Sequence, residues 1–122
     1  MPRILIVDDV GETRAILAIA LTTIGDVTVE PADSAENALQ VIGDAPIDVL
    51  ITDVRMSGMD GLELLAALRR LGAWPLRGVV VISGETDPDL PRRALAAGAS
   101  AFFAKPFSPA EVKKLVAYLL SL

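Results

Sequence analysis

Five short apolar runs punctuate the chain, and each is followed by a stretch with helical spacing. The runs are Ile4–Val7, Val27–Glu30, Ile47–Ile51, Val79–Ile82 and Ala101–Ala104. Most alternate little, the pattern of parallel strands covered on both faces. From Glu12 the period becomes helical, with Ile16, Leu17, Ala20, Leu21 and Ile24 on one stripe and Gly25 just past the end. Asp33 with Glu36 reads as the start of a second helix through Leu39, Val41 and Ile42, stopping at Gly43. Leu62, Leu65, Leu68 and Leu71 mark a third, which begins near Asp60 and ends at Gly72. Pro88 and Pro91 restrict the fourth to about Pro91–Ala97, closed by Gly98. Ser108-Pro109-Ala110-Glu111 opens the fifth, with Val112, Leu115, Val116 and Leu119 on one face.

Strand then helix, five times over with short connections, predicts an α/β architecture: a parallel sheet with helices on both faces and right-handed crossovers. The expected strand order is 2-1-3-4-5, a common doubly wound arrangement. That order puts the first and third strands side by side, so Asp8, Asp9 and Asp53 meet at their carboxyl ends. Ser83 and Lys105 end the fourth and fifth strands at the same edge. Trp74, before the fourth strand, belongs at the opposite end.

Composition narrows the chemistry. The 122 residues contain no histidine and no cysteine, which removes Ser–His and Cys–His nucleophile pairs, disulfides and the usual zinc ligands. A net charge of −5 argues against a nucleic-acid surface. Residues 1–122 read as one domain, and the longest apolar run, Ala15–Leu21, falls far short of the ~20 residues that span a bilayer. Met1-Pro2-Arg3 leads straight into a strand without a signal-peptide pattern, so a cytoplasmic location and no membrane insertion are expected.

Three carboxylates packed together raise one another's pKa unless a cation sits among them. Oxygen donors without His or Cys favour Mg²⁺, which takes one or two carboxylates, waters and a phosphate oxygen. With a lysine and a hydroxyl opposite, the set points to metal-assisted phosphoryl transfer onto a carboxylate. Two other classes fit less well. An aspartyl-phosphate phosphatase wants a second acid two residues after the nucleophile, where Arg55 stands. A nucleotide or flavin binder wants a glycine-rich phosphate loop, which D-D-V-G-E-T does not offer.

Taken together, Asp8-Asp9, D-V-R-M-S-G-M-D-G from Asp53, V-I-S-G-E around Ser83 and Lys105-Pro106 after G-A-S-A-F-F-A resemble the receiver domain of bacterial two-component response regulators. The resemblance covers the whole chain and implies a flavodoxin-like (βα)5 fold. It further implies Asp53 as phosphoacceptor, Asp9 as direct Mg²⁺ ligand, Asp8 acting through water, and the backbone carbonyl of Arg55 as another ligand. Ser83 and Lys105 would hold phosphoryl oxygens, Lys105–Pro106 would be cis, and Ser83 with Phe102 would form the switch. Such a domain is a signalling switch that assists only its own phosphorylation and dephosphorylation.

Its implied partners are a histidine kinase or histidine phosphotransfer protein, and a downstream protein or output domain reached through helix 4, strand 5 and helix 5. Arg92, Arg93, Lys113 and Lys114 lie on that face. No direct contact with nucleic acid is implied, and the expected state is a monomer or weak dimer. Three positions depart from the family's usual residues: Ser57 replaces a proline, Phe102 lacks the hydroxyl of a tyrosine, and Ser83 stands where threonine is frequent. Arg55 and Glu85, each two residues beyond a site residue, either pair over the entrance or stand as two independent solvated charges.

Overall fold

A computed structural model describes residues Met1 to Leu122. Its elements are β1 (Arg3–Val7), α1 (Gly11–Thr22), β2 (Thr28–Ala32), α2 (Ala35–Asp44), β3 (Val49–Asp53), α3 (Gly61–Leu71), β4 (Gly78–Ser83), α4 (Leu90–Ala96), β5 (Ala101–Ala104) and α5 (Pro109–Leu120). All strand pairs are parallel, in the order β2-β1-β3-β4-β5 that the alternation predicts.

The two-residue period of the strands sorts the apolar side chains into two layers. Leu5, Val7, Leu50, Val79 and Val81 face α2, α3 and α4, in a core with Ile42, Leu64, Leu65, Leu68 and Leu90. Ile4, Ile6, Val49, Ile51, Val80 and Ile82 face α1 and α5, against Leu17, Leu21, Val112, Val116 and Leu119. A sheet filled on both sides needs no polar alternation, which explains the continuous runs.

Several boundaries differ from expectation. The second strand lies at Thr28–Ala32 rather than Val27–Glu30, because its ladder with β1 extends to Val7 opposite Ala32. Pro31 is tolerated there because β2 is an edge strand. On α1, Leu17 and Leu21 are buried whereas Ile16 is exposed. The third helix buries Leu64 with Leu65 and Leu68, while Leu71 points to solvent. Asp33 does not cap α2: Ser34 does, its hydroxyl accepting from Asn37 N at 3.0 Å. Glu36 makes no capping box, and its side chain leaves the helix instead.

A full capping box does form at α3, where the Asp60 side chain accepts from Glu63 N and Glu63 returns the bond to Asp60 N. Gly72 closes that helix in the left-handed region, at φ 66°. Leu90, one residue before Pro91, begins α4, so the proline falls in the first turn where no intrahelical N–H is lost. At the amino end of the sheet the Trp74 ring packs against Gly98, with the Arg69 guanidinium 4.4 Å from its centroid.

Register then fixes the site. Val7 pairs with Thr52, so the next residues, Asp8 and Asp53, emerge level on adjacent strands. Asp53 pairs with Ile82, which sets Ser83 one step further out, and Ser83 pairs with Ala104, immediately before Lys105.

Candidate functional site

Asp53 ends a strand in which every residue is buried, and it is itself 5% exposed. Its Oδ1 accepts from Val54 N at 2.8 Å, and its Oδ2 lies 3.1 Å from Lys105 Nζ. The same ammonium reaches Asp8 Oδ2 at 3.0 Å, and Asp8 Oδ1 accepts from Val10 N at 2.9 Å. Asp8 is fully buried, whereas Asp9 is exposed on the rim of the cleft. Carboxylate oxygens of Asp8, Asp9 and Asp53 all lie within 4.8 Å of one another. The Lys105–Pro106 peptide is cis.

Burial is the strongest influence on Asp53 and raises its pKa above the ordinary 3.8, with the charge of Asp8 adding to it. The Lys105 hydrogen bond opposes that rise without cancelling it. For Lys105, burial is again the largest single influence and works downward. The hydrogen bonds and charges of Asp8 and Asp53 together exceed it, so the net shift is upward. Two buried carboxylates thus share one ammonium, and a third carboxylate stands beside them.

The donors in this cleft are all hard oxygens, the chemistry that suits a small divalent cation. Arg55 lines the same cleft, and its carbonyl accepts no hydrogen bond from the protein. These residues fit a Mg²⁺ ion.

The other expected residues are placed as follows. Ser83 is fully buried beside Asp53's strand, with its hydroxyl accepting from Glu85 N at 3.0 Å. The Arg55 guanidinium and the Glu85 carboxylate pair at the mouth of the cleft. Phe102 is half-buried on β5 and packs against the α2–α3–α4 core. Of the basic residues on the α4–α5 face, Arg92 grips Asp89 at 2.6 and 2.7 Å, and Arg93 lies 3.6 Å from Asp87.

Three further residues support the site in ways the sequence does not assign to them. Arg14 on α1 donates to the Asp8 carbonyl. Gly61 packs so closely on the strand end that a Cβ would lie 2.1 Å from the Asp53 carbonyl oxygen. Glu36 hydrogen-bonds to the loop after β3. Only Gly61 had a visible signal, as a glycine directly after the Asp60 cap.

Comparison with known proteins agrees with the fold. The family model for the response regulator receiver domain matches residues 4–117. Over 120 residues the chain is 34% identical to the two-component response regulator ORR11 of Oryza sativa subsp. indica, covering 98% of this chain and 81% of that protein. It is 30% identical over 114 residues to a probable chemotaxis protein CheY of Rhizobium etli, covering 93% of this chain and 88% of the relative. A solved structure of the Vibrio cholerae chemotaxis protein CheY4 superposes with a TM-score of 0.86 at 30% identity, covering 98% of both chains. The chain belongs to the response regulator receiver domain family of two-component systems. Receiver domains of this family are signalling switches rather than conventional enzymes, and relatives come from a plant as well as from bacteria.

Proposed function

We propose that residues 1–122 form one receiver domain whose phosphoacceptor is Asp53 and whose cation is Mg²⁺. The observation that carries this reading is the buried Asp53 carboxylate, 3.1 Å from Lys105 and within 4.8 Å of the Asp8 and Asp9 oxygens. Asp9, Asp53 and the Arg55 carbonyl would hold the ion directly, with Asp8 acting through water. A bound Mg²⁺ supplies positive charge to the phosphoryl oxygens as negative charge builds on them.

The chain's own residues do the rest. An Asp53 oxygen attacks the phosphorus of a phosphohistidine on a histidine kinase or phosphotransfer protein. The O–P bond forms as the N–P bond breaks, and the imidazole departs and takes a proton from solvent. Lys105, already at hydrogen-bond distance from Asp53, moves onto a phosphoryl oxygen and leaves Asp8 as its second partner. The Ser83 hydroxyl accepts from Glu85 N but has its own hydrogen free, so it can donate to the new phosphoryl group.

Drawing Ser83 toward the phosphoryl group opens space along β4 that half-buried Phe102 can enter. That shift favours one of two packings of α4, β5 and α5, the surface offered to a downstream protein or output domain. Arg92 and Arg93 are already paired with Asp89 and Asp87, so they contribute to that surface as neutralised groups rather than as a free basic patch.

The test is intact mass after incubation with a small phosphodonor. One phosphoryl group is expected with Mg²⁺, none with a chelator and none in Asp53→Asn. Phosphorylation at full rate in Asp53→Asn would refute the assignment.

A further inference from the structure

The loop from Val54 to Asp60 carries the Arg55 carbonyl, and its two ends are well fixed. Val54 N donates to Asp53 Oδ1, Gly61 N donates to Val54 O at 2.8 Å, and Asp60 starts the capping box of α3. Between these ends, across residues 55–59, one backbone group alone makes a hydrogen bond within the protein. Met59 N donates to Glu36 Oε2 at 3.1 Å. Gly58 makes this approach possible: it sits at φ 77°, and a Cβ there would come within 2.9 Å of the same carboxylate oxygen. The buried Met56 side chain packs the loop against the core.

Glu36 lies in the first turn of α2, where the bland role for an acid is to complement the helix dipole. That role requires charge but no particular reach. A bond to Met59 requires reach and an acceptor, with charge secondary. Resting on the Mg²⁺-binding reading above, we infer that Glu36 is a positioning residue for the site. It ties α2 to the loop after β3 and so holds the Arg55 carbonyl in the orientation that meets the cation.

Substitution separates the two roles. Glu36→Asp keeps the first-turn charge and loses the reach, Glu36→Gln keeps the acceptor and loses the charge, and Glu36→Ala loses both. The measurements are amide exchange at Met59 in the metal-free protein and Mg²⁺ affinity by calorimetric titration. Glu36→Ala and Glu36→Asp are expected to lose protection at Met59 and to bind Mg²⁺ about three- to tenfold more weakly, the span of one net hydrogen bond. Glu36→Gln is expected to stay near the wild type in both. Wild-type affinity in Glu36→Asp, unchanged Met59 protection in Glu36→Ala, or a loss confined to Glu36→Gln would overturn the inference. A wild-type protein that binds no Mg²⁺ would overturn the reading of the site beneath it, even where the Met59 result held.

Discussion

Strands β3 and β5 both end at the cleft, yet the chain builds them differently. β3 is flanked by β1 and β4, buries all five residues and ends in a carboxylate held by Val54 N and Lys105. β5 is an edge strand of four residues, none fully buried, with Phe102 half exposed. The helix before it spans seven residues and follows Gly84–Asp87, which forms no regular structure. If Asp53 is the phosphoacceptor, as proposed, phosphoryl transfer needs it held in one geometry, and packing against two neighbouring strands supplies that. On the proposed reading, β5 and α4 belong to the signalling surface, which needs a part that repacks at small cost, and sparse burial supplies that.

Two glycines sharpen this contrast. A Cβ at Gly61 meets only backbone, the Asp53 carbonyl at 2.1 Å and Val54 Cα at 3.1 Å, so the strand end itself must move. A Cβ at Gly98, before β5, meets the Arg69 and Trp74 side chains and is also strained by a φ of 109°. Gly61→Ala is expected to cost about 2–4 kcal/mol in chemical denaturation and to weaken Mg²⁺ binding severely. Gly98→Ala is expected to cost about 1–3 kcal/mol while leaving Mg²⁺ affinity at the wild-type level. Equal effects of the two on the cation would erase the distinction between the regions.

A smaller effect follows from the raised pKa of Asp53. A group that binds its proton more tightly when folded favours folding while protonated. Asp53's contribution is therefore present below its ordinary value of 3.8 and is lost as pH rises through its higher folded value. Without metal, Asp53→Asn should thus be more stable than the wild type at pH 7, with Lys105 still paired to Asp8. The gap should close as pH falls below 3.8. Lys105, raised above 10.5, contributes stability that is kept up to that pH and lost above it. Thermal midpoints across pH check this, and a variant less stable than the wild type at pH 7 would contradict it.

The smallest expected effect lies at the entrance. The Arg55–Glu85 pair adds only ~0.2–1 kcal/mol to folding, but it lines the cleft with Asp53 and Lys105, where on the proposed reading it would hinder a hydrolytic water. One kcal/mol on that barrier changes a rate roughly fivefold. Decay of the phosphorylated form should quicken by up to about that factor in Arg55→Ala and in Glu85→Ala, with little further gain in the double variant. Unchanged or slower decay in the double variant would exclude a gate.

Much of this was legible in the chain because strand ends and strand order suffice to bring Asp8, Asp53, Ser83 and Lys105 to one edge. The apolar runs located β1, β3, β4 and β5 to within a residue or two. What stayed hidden depends on which way a side chain turns. Asp33, Ser34 and Glu36 are all plausible at a helix start, and only the three-dimensional path of the loop after β3 shows that Ser34 caps while Glu36 reaches Met59. Leu71 fits a helical stripe by spacing but lies beyond the edge of the core, and Ile16 sits one position round from Leu17. Arg14 looks like any basic residue of a first helix until the turn after β1 brings the Asp8 carbonyl to it.

On the proposed reading, a fixed acceptor strand drives a yielding edge. Amide hydrogen exchange of the Mg²⁺-loaded protein, with and without a small phosphodonor, tests it most directly. Protection is expected to change in Gly84–Asp89, α4, β5 and α5 while β3 keeps its own. Phosphorylation at Asp53 that leaves α4 and β5 unaltered, or that loosens β3 as much as them, would contradict the account.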